Sequence, residues 1–348
     1  MLVLALLAVN WVHEGNVSSF GWEKDELVCT GRGNAPNWYR TADEYENVKV
    51  SFEYNLAQWA ETALLLRAPR FGRPAQSGIA VMLAHDFHNQ VSKHVTGAIA
   101  GAEPPRQGLP AAFNVWRKVE VQLDGSGLIV KIDGYVMQNL DLSKNAELRD
   151  RNPRGYVGFL DLGHGFRVRN WKMEDLGSRV KHFDFKSIDD WHLRDGGEWS
   201  MREGAIYGAN GHGILYAPPV LQDFLLTMAV RTHNRANSGV FLRGSPDKKK
   251  SRGFEVQIYS PPDAVYPTGS IYGQVRSNIE GDYEEQWVFL AIRVVGQSCK
   301  VWLNGKLTAE TDSVPSTALE RGQFGLQIHM ENTSVEFRDI RVYPLEGE

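Results

Sequence analysis

The segment RGFEVQIY, residues 252–259, alternates apolar side chains with side chains that can do chemistry. In an extended strand, successive side chains point to opposite faces of the sheet. The three apolar residues would then lie on one face, and Glu255, Gln257 and Tyr259 on the other. A carboxyl, an amide and a phenol on one face can bind a polar ligand and exchange protons with it. The segment therefore predicts a core face and a candidate site face on one strand.

The same alternation extends this polar row onto neighbouring predicted strands, through SGVFLRG, PTGSIYG and GLQIH. The predicted row consists of Arg243, Glu255, Gln257, Tyr272, Gln327 and His329, with Asn237 and Ser238 at its rim. A plain structural interpretation is a cross-strand Arg243–Glu255 ion pair on a solvated face, worth only about 0.2–1 kcal/mol. We favour a site, because solvated faces rarely collect a glutamine, a tyrosine and a histidine together.

The composition is that of an ordinary globular protein. The chain has 348 residues, is 42% apolar and carries a net charge of −4, so nucleic acid is not an expected partner. At about 150 residues per domain, the length allows two domains. Cys29 and Cys299 lie in different halves of the chain, so the sequence implies no disulfide framework.

The N-terminus, MLVLALLAVNW, contains an apolar run that is too short to span a bilayer. It lacks the basic residues and the clear small-residue cleavage site of a secretory signal. A first strand or a remnant of processing fits the run equally well. No later segment approaches transmembrane length, so no membrane partner is expected.

Strand signals dominate the rest of the chain. Short alternating or β-branched runs such as NVKVSFEY, RKVEVQL and VEFRDIRVY are separated by Gly, Pro, Asn and Asp, which is typical of an all-β sandwich. The pairs Asp133-Gly134 and Asn304-Gly305 predict two-residue hairpins. Short helical turns are expected only near Ala42 and Ser316.

The chain also repeats itself. ETALLLRAP from Glu61 aligns with NSGVFLRGS from Asn237, and six further anchors follow in the same order, among them GYVGFLD with GQFGLQI. Internal repeats of this kind indicate duplicated structural units. The halves meet at LGSRVKH, residues 176–182. We therefore predict one domain over residues 1–177 and a second over residues 183–348.

The first half keeps the core positions of the repeat but loses its polar row. Ala80 stands at the position of Glu255, Met82 at that of Gln257 and Ala100 at that of Tyr272. A residue near Leu162 corresponds to His329, and Arg67 corresponds to Arg243. Only the arginine is kept. A scaffold that retains its core and replaces its polar row with apolar residues predicts a site in the C-terminal copy alone.

The motifs NSGVFLR, GFEVQIY, PTGSIYG, GLQIH and EFRDIRV, in this order, resemble the 3-keto-disaccharide hydrolase domain family. The resemblance is strong over residues 183–345 and weaker over residues 11–176, so it implies two tandem copies, the first degenerate. It implies an all-β fold of two concanavalin A-like jelly rolls. Because the family is common in environmental and gut bacteria, it also implies a secreted or periplasmic bacterial protein that acts on carbohydrate.

Ordinary glycosidases place two carboxyl groups across the scissile bond. The predicted strand supplies one, Glu255, although Asp263 on the following loop could add another. The substrate implied by the resemblance needs a different chemistry. A ketone at C3 of a sugar makes the C2 proton acidic, and its removal lets the C1 substituent leave by elimination.

That route needs a base, a stabiliser of the enolate oxygen and a proton donor for the leaving group. We assign His329 or Glu255 as the base, Arg243 as the stabiliser, and Tyr272 or Glu255 as the donor. Gln257, Gln327, Asn237, Ser238 and Tyr259 would bind the sugar. No cofactor is implied with certainty, and a divalent metal ion at the ketone could assist or replace Arg243.

A non-catalytic carbohydrate-binding protein is the alternative function, because jelly rolls serve both purposes. Trp38 and Tyr39, in a PNWYR loop, are the candidates for stacking on a sugar. HDFH, residues 85–88, with His94 beyond it, matches no strong zinc signature, so no metal site is predicted there. The sequence does not determine the oligomeric state.

Overall fold

The computed structural model describes residues 9–15, 18–32, 37–85, 91–250, 252–279 and 281–345. The described chain is almost entirely β-structure, with one short helix, α1 (Pro74–Ser77), and 3-10 turns at Leu142–Lys144 and Ser316–Ala318. It divides into two compact units, Met1–Val180 and Lys181–Glu348. Of the two predicted helical turns, the one near Ser316 is confirmed. The one near Ala42 is wrong, because a bend there leads directly into a strand.

The first unit consists of two antiparallel sheets. One has the order β1-β4-β11-β6-β7 and the other the order β10-β9-β8-β5-β12-β3-β2. The strands are β1 (Trp11–Glu14), β2 (Phe20–Glu23), β3 (Glu26–Cys29), β4 (Trp38–Thr41), β5 (Asn47–Leu56), β6 (Glu61–Ala68), β7 (Ile79–Ala84), β8 (Arg117–Asp124), β9 (Gly127–Ile132), β10 (Tyr135–Asp141), β11 (Tyr156–Leu160) and β12 (Phe166–Gly177).

The second unit has the same two-layer arrangement. Its five-stranded sheet has the order β14-β17-β24-β19-β20, and its larger sheet runs β15-β16-β25-β18-β21-β22-β23, with β13 paired to β25. The strands are β13 (Phe183–Asp184), β14 (His192–Asp195), β15 (Glu198–Arg202), β16 (Ala205–Ala209), β17 (Gly213–Tyr216), β18 (Phe224–His233), β19 (Ser238–Gly244), β20 (Phe254–Ile258), β21 (Val288–Val295), β22 (Ser298–Leu303), β23 (Lys306–Thr311), β24 (Gln323–Ile328) and β25 (Ser334–Pro344).

Each unit buries one hydrophobic core between its two sheets. In the first, Val50 and Phe52 of β5 face Leu64 of β6 and Val81 of β7 within one cluster. The corresponding cluster of the second unit contains the alternate residues of β19, β20 and β24. Alternating apolar residues bury one face of each sheet and leave the other face for polar groups. The prediction of two tandem concanavalin A-like jelly rolls is confirmed.

The five-stranded sheets of the two units match strand for strand. In sheet order, β1, β4, β11, β6 and β7 occupy the places of β14, β17, β24, β19 and β20. The register agrees as well, because Leu64 pairs with Val81 in one unit and Val240 with Val256 in the other. The structure therefore confirms the sequence repeat, and residues of the two faces can be compared position by position.

Both predicted hairpins are present. Asp133 and Gly134 join β9 to β10, and Asn304 and Gly305 join β22 to β23. All four residues have positive φ angles, between 50° and 83°. Two-residue turns of this kind need a left-handed backbone, which Asn, Asp and Gly adopt at low cost.

Candidate functional site

The outer face of the second unit's five-stranded sheet carries the candidate site. Its inner face belongs to the core, with Val240, Val256 and Leu326 fully buried. Two rows of opposed residues form the outer face: Tyr216, Gly325, Phe241 and Glu255 in one, and Ile214, Gln327, Gly239 and Gln257 in the next. Beyond the second row, at the strand ends, lie His212, His329, Asn237 and Tyr259. The alternation predicted for Glu255 and Gln257 is the one observed.

Glu255 lies over the backbone of the neighbouring strand. Gly239 stands diagonally across from it on β19, directly opposite Gln257, and a Cβ atom at that position would come within 2.1 Å of Glu255 Oε1. The carboxyl occupies this space only because residue 239 is glycine. Within the part of the chain that the structure describes, no hydrogen bond or ion pair to the Glu255 side chain is present.

Burial raises the pKa of the Glu255 carboxyl to about 8. Desolvation penalises the charged form of a carboxyl, and no cation among the described residues compensates for it here. Glu255 is nevertheless partly exposed, so a ligand can reach it. At neutral pH the group is a protonated acid on an accessible face.

Asn237 is hydrogen-bonded both to Gln257 on the face and to His329 at its exposed end. Gln257 is buried and its Nε2 donates a hydrogen bond to Asn237 Oδ1 at 3.0 Å. The backbone N–H of His329 donates to the carbonyl of Asn237, also at 3.0 Å. These bonds fix Asn237 at the rim, as predicted, and direct its Nδ2 group away from Gln257. The side chain of Gln327 lies between them, partly exposed.

His329 forms a pair with His212, which sequence reasoning missed. Their Nδ1 atoms lie 3.4 Å apart, and their rings are nearly perpendicular with centroids 4.6 Å apart. Desolvation, followed by the charge of His212, lowers the pKa of His329, although the residue is largely exposed. The imidazole is therefore neutral at neutral pH and can accept a proton. The sequence places His212 directly before strand β17, in GHGILY, but carries no signal that this strand end meets His329.

A loop after β20 brings two tyrosines to the same face. The backbone N–H of Tyr272 donates to the carbonyl of Glu255 at 2.9 Å, so the two residues are lateral neighbours. The Tyr272 side chain is 53% exposed, and the ring of Tyr266 lies 5.2 Å from it. Tyr259 holds the start of this loop, because its N–H donates to Thr268 Oγ1.

Tyr216 closes the opposite end of the face. It is fully buried, and its ring packs where Cβ atoms at Gly244 and Gly325 would otherwise lie, 2.7 and 2.9 Å away. Arg194 covers the ring from the edge strand at 5.2 Å. The face is therefore apolar and buried at the Tyr216 end and exposed at the histidine pair.

Arg243 does not belong to the site, and the catalytic role predicted for it is wrong. The residue is completely buried. Its guanidinium donates to the backbone carbonyls of Gln222, Gly296 and Ala318, and to Asp223 Oδ1 at 2.9 Å. The pairing of β19 with β24 shifts at this point, and Arg243 has a φ of 50°. A β-bulge of this kind interrupts the alternation of side chains.

Arg67 does the same in the first unit. It has a φ of 49° and donates to the carbonyls of Glu46 and Gly125 and to Asn47 Oδ1. The arginine that the repeat retains is thus a structural residue that satisfies backbone carbonyls in both copies.

Ser238 also differs from its prediction as a ligand-binding residue. It is fully buried, and its hydroxyl donates to the carbonyl of Gln327 at 2.6 Å. In the sheet it pairs with Ile258 and Ile328, two core residues. Its hydroxyl therefore stabilises the contact between β19 and β24 and is not directed to a ligand.

The corresponding face of the first unit is apolar and buried. A second hydrophobic cluster covers it, consisting of Trp38, Ala63, Leu65, Ala68, Ala80, Met82 and Ala98. Trp38 is 1% exposed and Tyr39 stacks on Trp11 and Phe20. The prediction of these two aromatic residues as sugar platforms is wrong.

The histidine-rich segment of the first unit is described only in part. His85 is buried and its Nδ1 accepts a hydrogen bond from the backbone N–H of Trp59, whereas residues 86–88 lie outside the described residues. Among the residues that the structure describes, no group of three His, Cys, Asp or Glu side chains is arranged to hold a metal ion. Cys29 and Cys299 are buried free thiols.

A cavity of about 380 Å³ opens on the larger sheet of the second unit. Three of its charged side chains are already paired, since Arg231 and His233 both contact Glu336, at 2.6 and 2.9 Å. We therefore place the candidate site on the five-stranded sheet, where Glu255 has no such described partner.

The chain belongs to the 3-keto-alpha-glucoside-1,2-lyase-like domain family, which it matches over residues 9–174 and again over residues 179–343. Its membership therefore indicates a carbohydrate-related function, with two copies of the domain in one chain. No functionally curated protein matches the sequence. Among the described residues, none of the helices has the length and apolar character needed to cross a membrane.

Several solved structures resemble parts of the chain. A Parabacteroides distasonis protein described as a candidate glycosyl hydrolase is 15% identical, with a TM-score of 0.42 over 48% of this chain and 88% of that one. The carbohydrate-binding module CBM66 from Bacillus subtilis is 18% identical, with a TM-score of 0.34 over 43% and 94%. A Bacillus subtilis protein of unknown function with a galectin-like fold is 13% identical, with a TM-score of 0.37 over 48% and 96%.

Proposed function

We propose that the second unit cleaves the glycosidic bond of 3-keto-glycosides, such as 3-keto-disaccharides, by elimination across C1 and C2. The observation that carries the proposal is Glu255, an accessible carboxyl without a described partner, whose pKa burial raises to about 8. A binding protein has little use for such a group, whereas an acid catalyst at neutral pH requires one. Family membership supports the substrate class.

The roles follow from the direction of the two pKa shifts. His329 has a lowered pKa and is neutral, so it serves as the base that removes the proton from C2. The electron pair released from the C2–H bond passes through the enolate and forms the C1–C2 double bond, while the C1–O bond breaks. Glu255 gives its proton to the departing oxygen. Addition of water to the unsaturated sugar would complete a net hydrolysis.

The spacing of the two groups suits a sugar ring. With strands about 4.8 Å apart and about 3.3 Å per residue, Gly239, over which the Glu255 carboxyl lies, is about 8 Å from His329 between Cα atoms. A pyranose ring can lie there with C2 towards His329 and the glycosidic oxygen towards Glu255.

The enolate oxygen needs a donor other than Arg243. Asn237 is bonded to the backbone N–H of His329, and Gln327 lies two residues before His329 in the chain. The side-chain amides of both residues can donate hydrogen bonds to the C3 oxygen. A divalent ion at the ketone would serve the same purpose by polarising it. Turnover should therefore be measured before and after dialysis against a chelator.

The direct test is incubation of the protein with 3-keto-trehalose, 3-keto-cellobiose and their unoxidised parents, followed by product analysis. We expect cleavage of the 3-keto compounds alone, with a 1,2-unsaturated 3-keto sugar as the first product. Cleavage of the parent disaccharides alone would contradict the proposal. A carbohydrate-binding protein without activity would bind these sugars and release no product.

A further inference from the structure

Two aromatic rings stand next to the proposed acid and have no role in the elimination as described. Tyr272 is joined through its N–H to the carbonyl of Glu255, and 53% of its surface is exposed. Tyr266 lies beside it, with ring centroids 5.2 Å apart and planes inclined by 56°. The two rings form an angled aromatic surface, defined here as the Tyr266–Tyr272 platform.

The loop that carries the platform is tightly held. Thr268 is buried, and its hydroxyl contacts Ser260 Oγ at 3.0 Å and the N–H of Tyr259 at 3.0 Å. Buried Ser270 donates to the carbonyl of Pro267 and accepts from the N–H of Ser277. Rings on an ordered loop lose little conformational entropy when a ligand stacks on them, which favours binding.

The first unit offers an internal comparison. PTGSIYG, residues 267–273, corresponds to VTGAIAG, residues 95–101, so Tyr266 and Tyr272 correspond to His94 and Ala100. The backbone bonds of the two loops are alike, since Ala100 donates to the carbonyl of Ala80 as Tyr272 does to that of Glu255. The aromatic pair therefore occurs in the copy that has the acid and is missing from the copy that lacks it.

We propose that the Tyr266–Tyr272 platform binds the leaving group of the substrate and selects for leaving groups that present a flat apolar face, such as a second pyranose. This inference rests on the proposed function. Because Glu255 protonates the departing oxygen, the group attached to that oxygen lies on the Glu255 side of the face. The platform is an exposed aromatic surface on that side, and aromatic rings bind amphipathic ligands through their faces.

The test compares two substrates that share the keto sugar. Methyl 3-keto-glucoside has a leaving group too small to reach the platform, whereas 3-keto-cellobiose leaves a glucose. We expect Tyr266→Ala and Tyr272→Ala each to lower kcat/KM for 3-keto-cellobiose about tenfold and to change it less than twofold for the methyl glycoside. Tyr272→Phe should keep most activity on both, because the ring and not the hydroxyl provides the surface.

His94→Ala is the matched control in the first unit and should alter neither substrate. If the tyrosine variants lose kcat/KM equally on both substrates, or lose none on either, the proposed role of the platform is overturned. A wild-type protein that cleaves neither substrate would refute the proposed function instead. In that case, calorimetric titration with 3-keto-cellobiose decides the inference, since an unchanged affinity in both alanine variants would overturn it and a loss of about tenfold would support it.

Discussion

At the scale of single residues, the same physical cause sets Glu255 and His329 to complementary states. Desolvation favours the neutral form of each group, so it raises the pKa of the carboxyl and lowers that of the imidazole. One group then holds a proton at neutral pH, and the other can accept one. The sequence placed both groups on one face by alternation, but their pKa values depend on surroundings that alternation does not describe.

The pKa of Glu255 also makes a prediction about stability. Its folded-state value of about 8 lies above the ordinary 4.5, so between these pH values the folded protein binds more protons than the unfolded chain. The free energy of unfolding therefore falls as pH rises through this window, and the loss is complete above pH 8. Glu255→Gln removes the penalty, so its stability gain over wild type should grow from pH 5 to pH 8 and then level off. Urea unfolding at four pH values measures this difference.

Asp263→Asn, in the exposed turn after β20, is the matched carboxyl-to-amide control and should show no such trend. Parallel stability curves for wild type and Glu255→Gln would contradict the burial assigned to Glu255.

At the scale of secondary-structure elements, strict alternation predicts the side chains of regular strands and fails at bulges. Glu255 and Gln257 lie in a regular strand, and their faces were predicted correctly. Arg243 lies where β19 shifts register, so its side chain turns to the backbone carbonyls of neighbouring segments. The sequence did contain a signal that this arginine is structural. Both copies retain it, as they retain the core residues, whereas the first copy has lost the rest of the polar row.

Arg243→Met should therefore act on stability. It removes the Arg243 donor from the carbonyls of Gln222, Gly296 and Ala318. It also breaks the ion pair with Asp223, whose Oδ1 still accepts from the N–H of Gly296. Buried groups left unpaired cost free energy, and we expect a loss of roughly 2–5 kcal/mol in the unfolding of the second unit. Arg67→Met should have a similar effect on the first unit, and both are measured by urea denaturation. An Arg243→Met protein that is fully stable but inactive would contradict this structural role and would support a catalytic role for Arg243.

Gly239 tests the position of the acid. A Cβ at this residue would lie 2.1 Å from Glu255 Oε1, so Gly239→Ala should push the carboxyl towards solvent and leave the backbone in place. The first unit already has Ala63 at the equivalent position. We expect turnover to fall at least about tenfold, and the alkaline limb of the pH profile to move to lower pH. Gly21→Ala, with nothing within 4 Å of its Cβ position, is the control. An unchanged pH profile in Gly239→Ala would contradict the placement.

At the scale of the whole molecule, a comparison of the two copies shows which features belong to the scaffold and which to the candidate site. The two five-stranded sheets share strand order, register and the arginine that binds backbone carbonyls. They differ on one face, which carries an apolar cluster in the first unit and the row of Glu255 and Gln257 in the second. This division was predictable, because the repeat aligned core with core. The pairing of His212 with His329 was not, because it depends on two strand ends that only the sheet order brings together.

The most direct measurement is turnover of 3-keto-cellobiose by Glu255→Gln, His329→Ala and Met82→Ala, each checked for its β-structure by circular dichroism. General acid–base groups contribute about 10²–10⁴-fold in rate, so the first two variants should lose most turnover while they remain folded and bind sugar. Met82 occupies the place of Gln257 on the apolar face of the first unit, so Met82→Ala should lower stability and leave kcat nearly unchanged. Full activity in both Glu255→Gln and His329→Ala would contradict the proposed site.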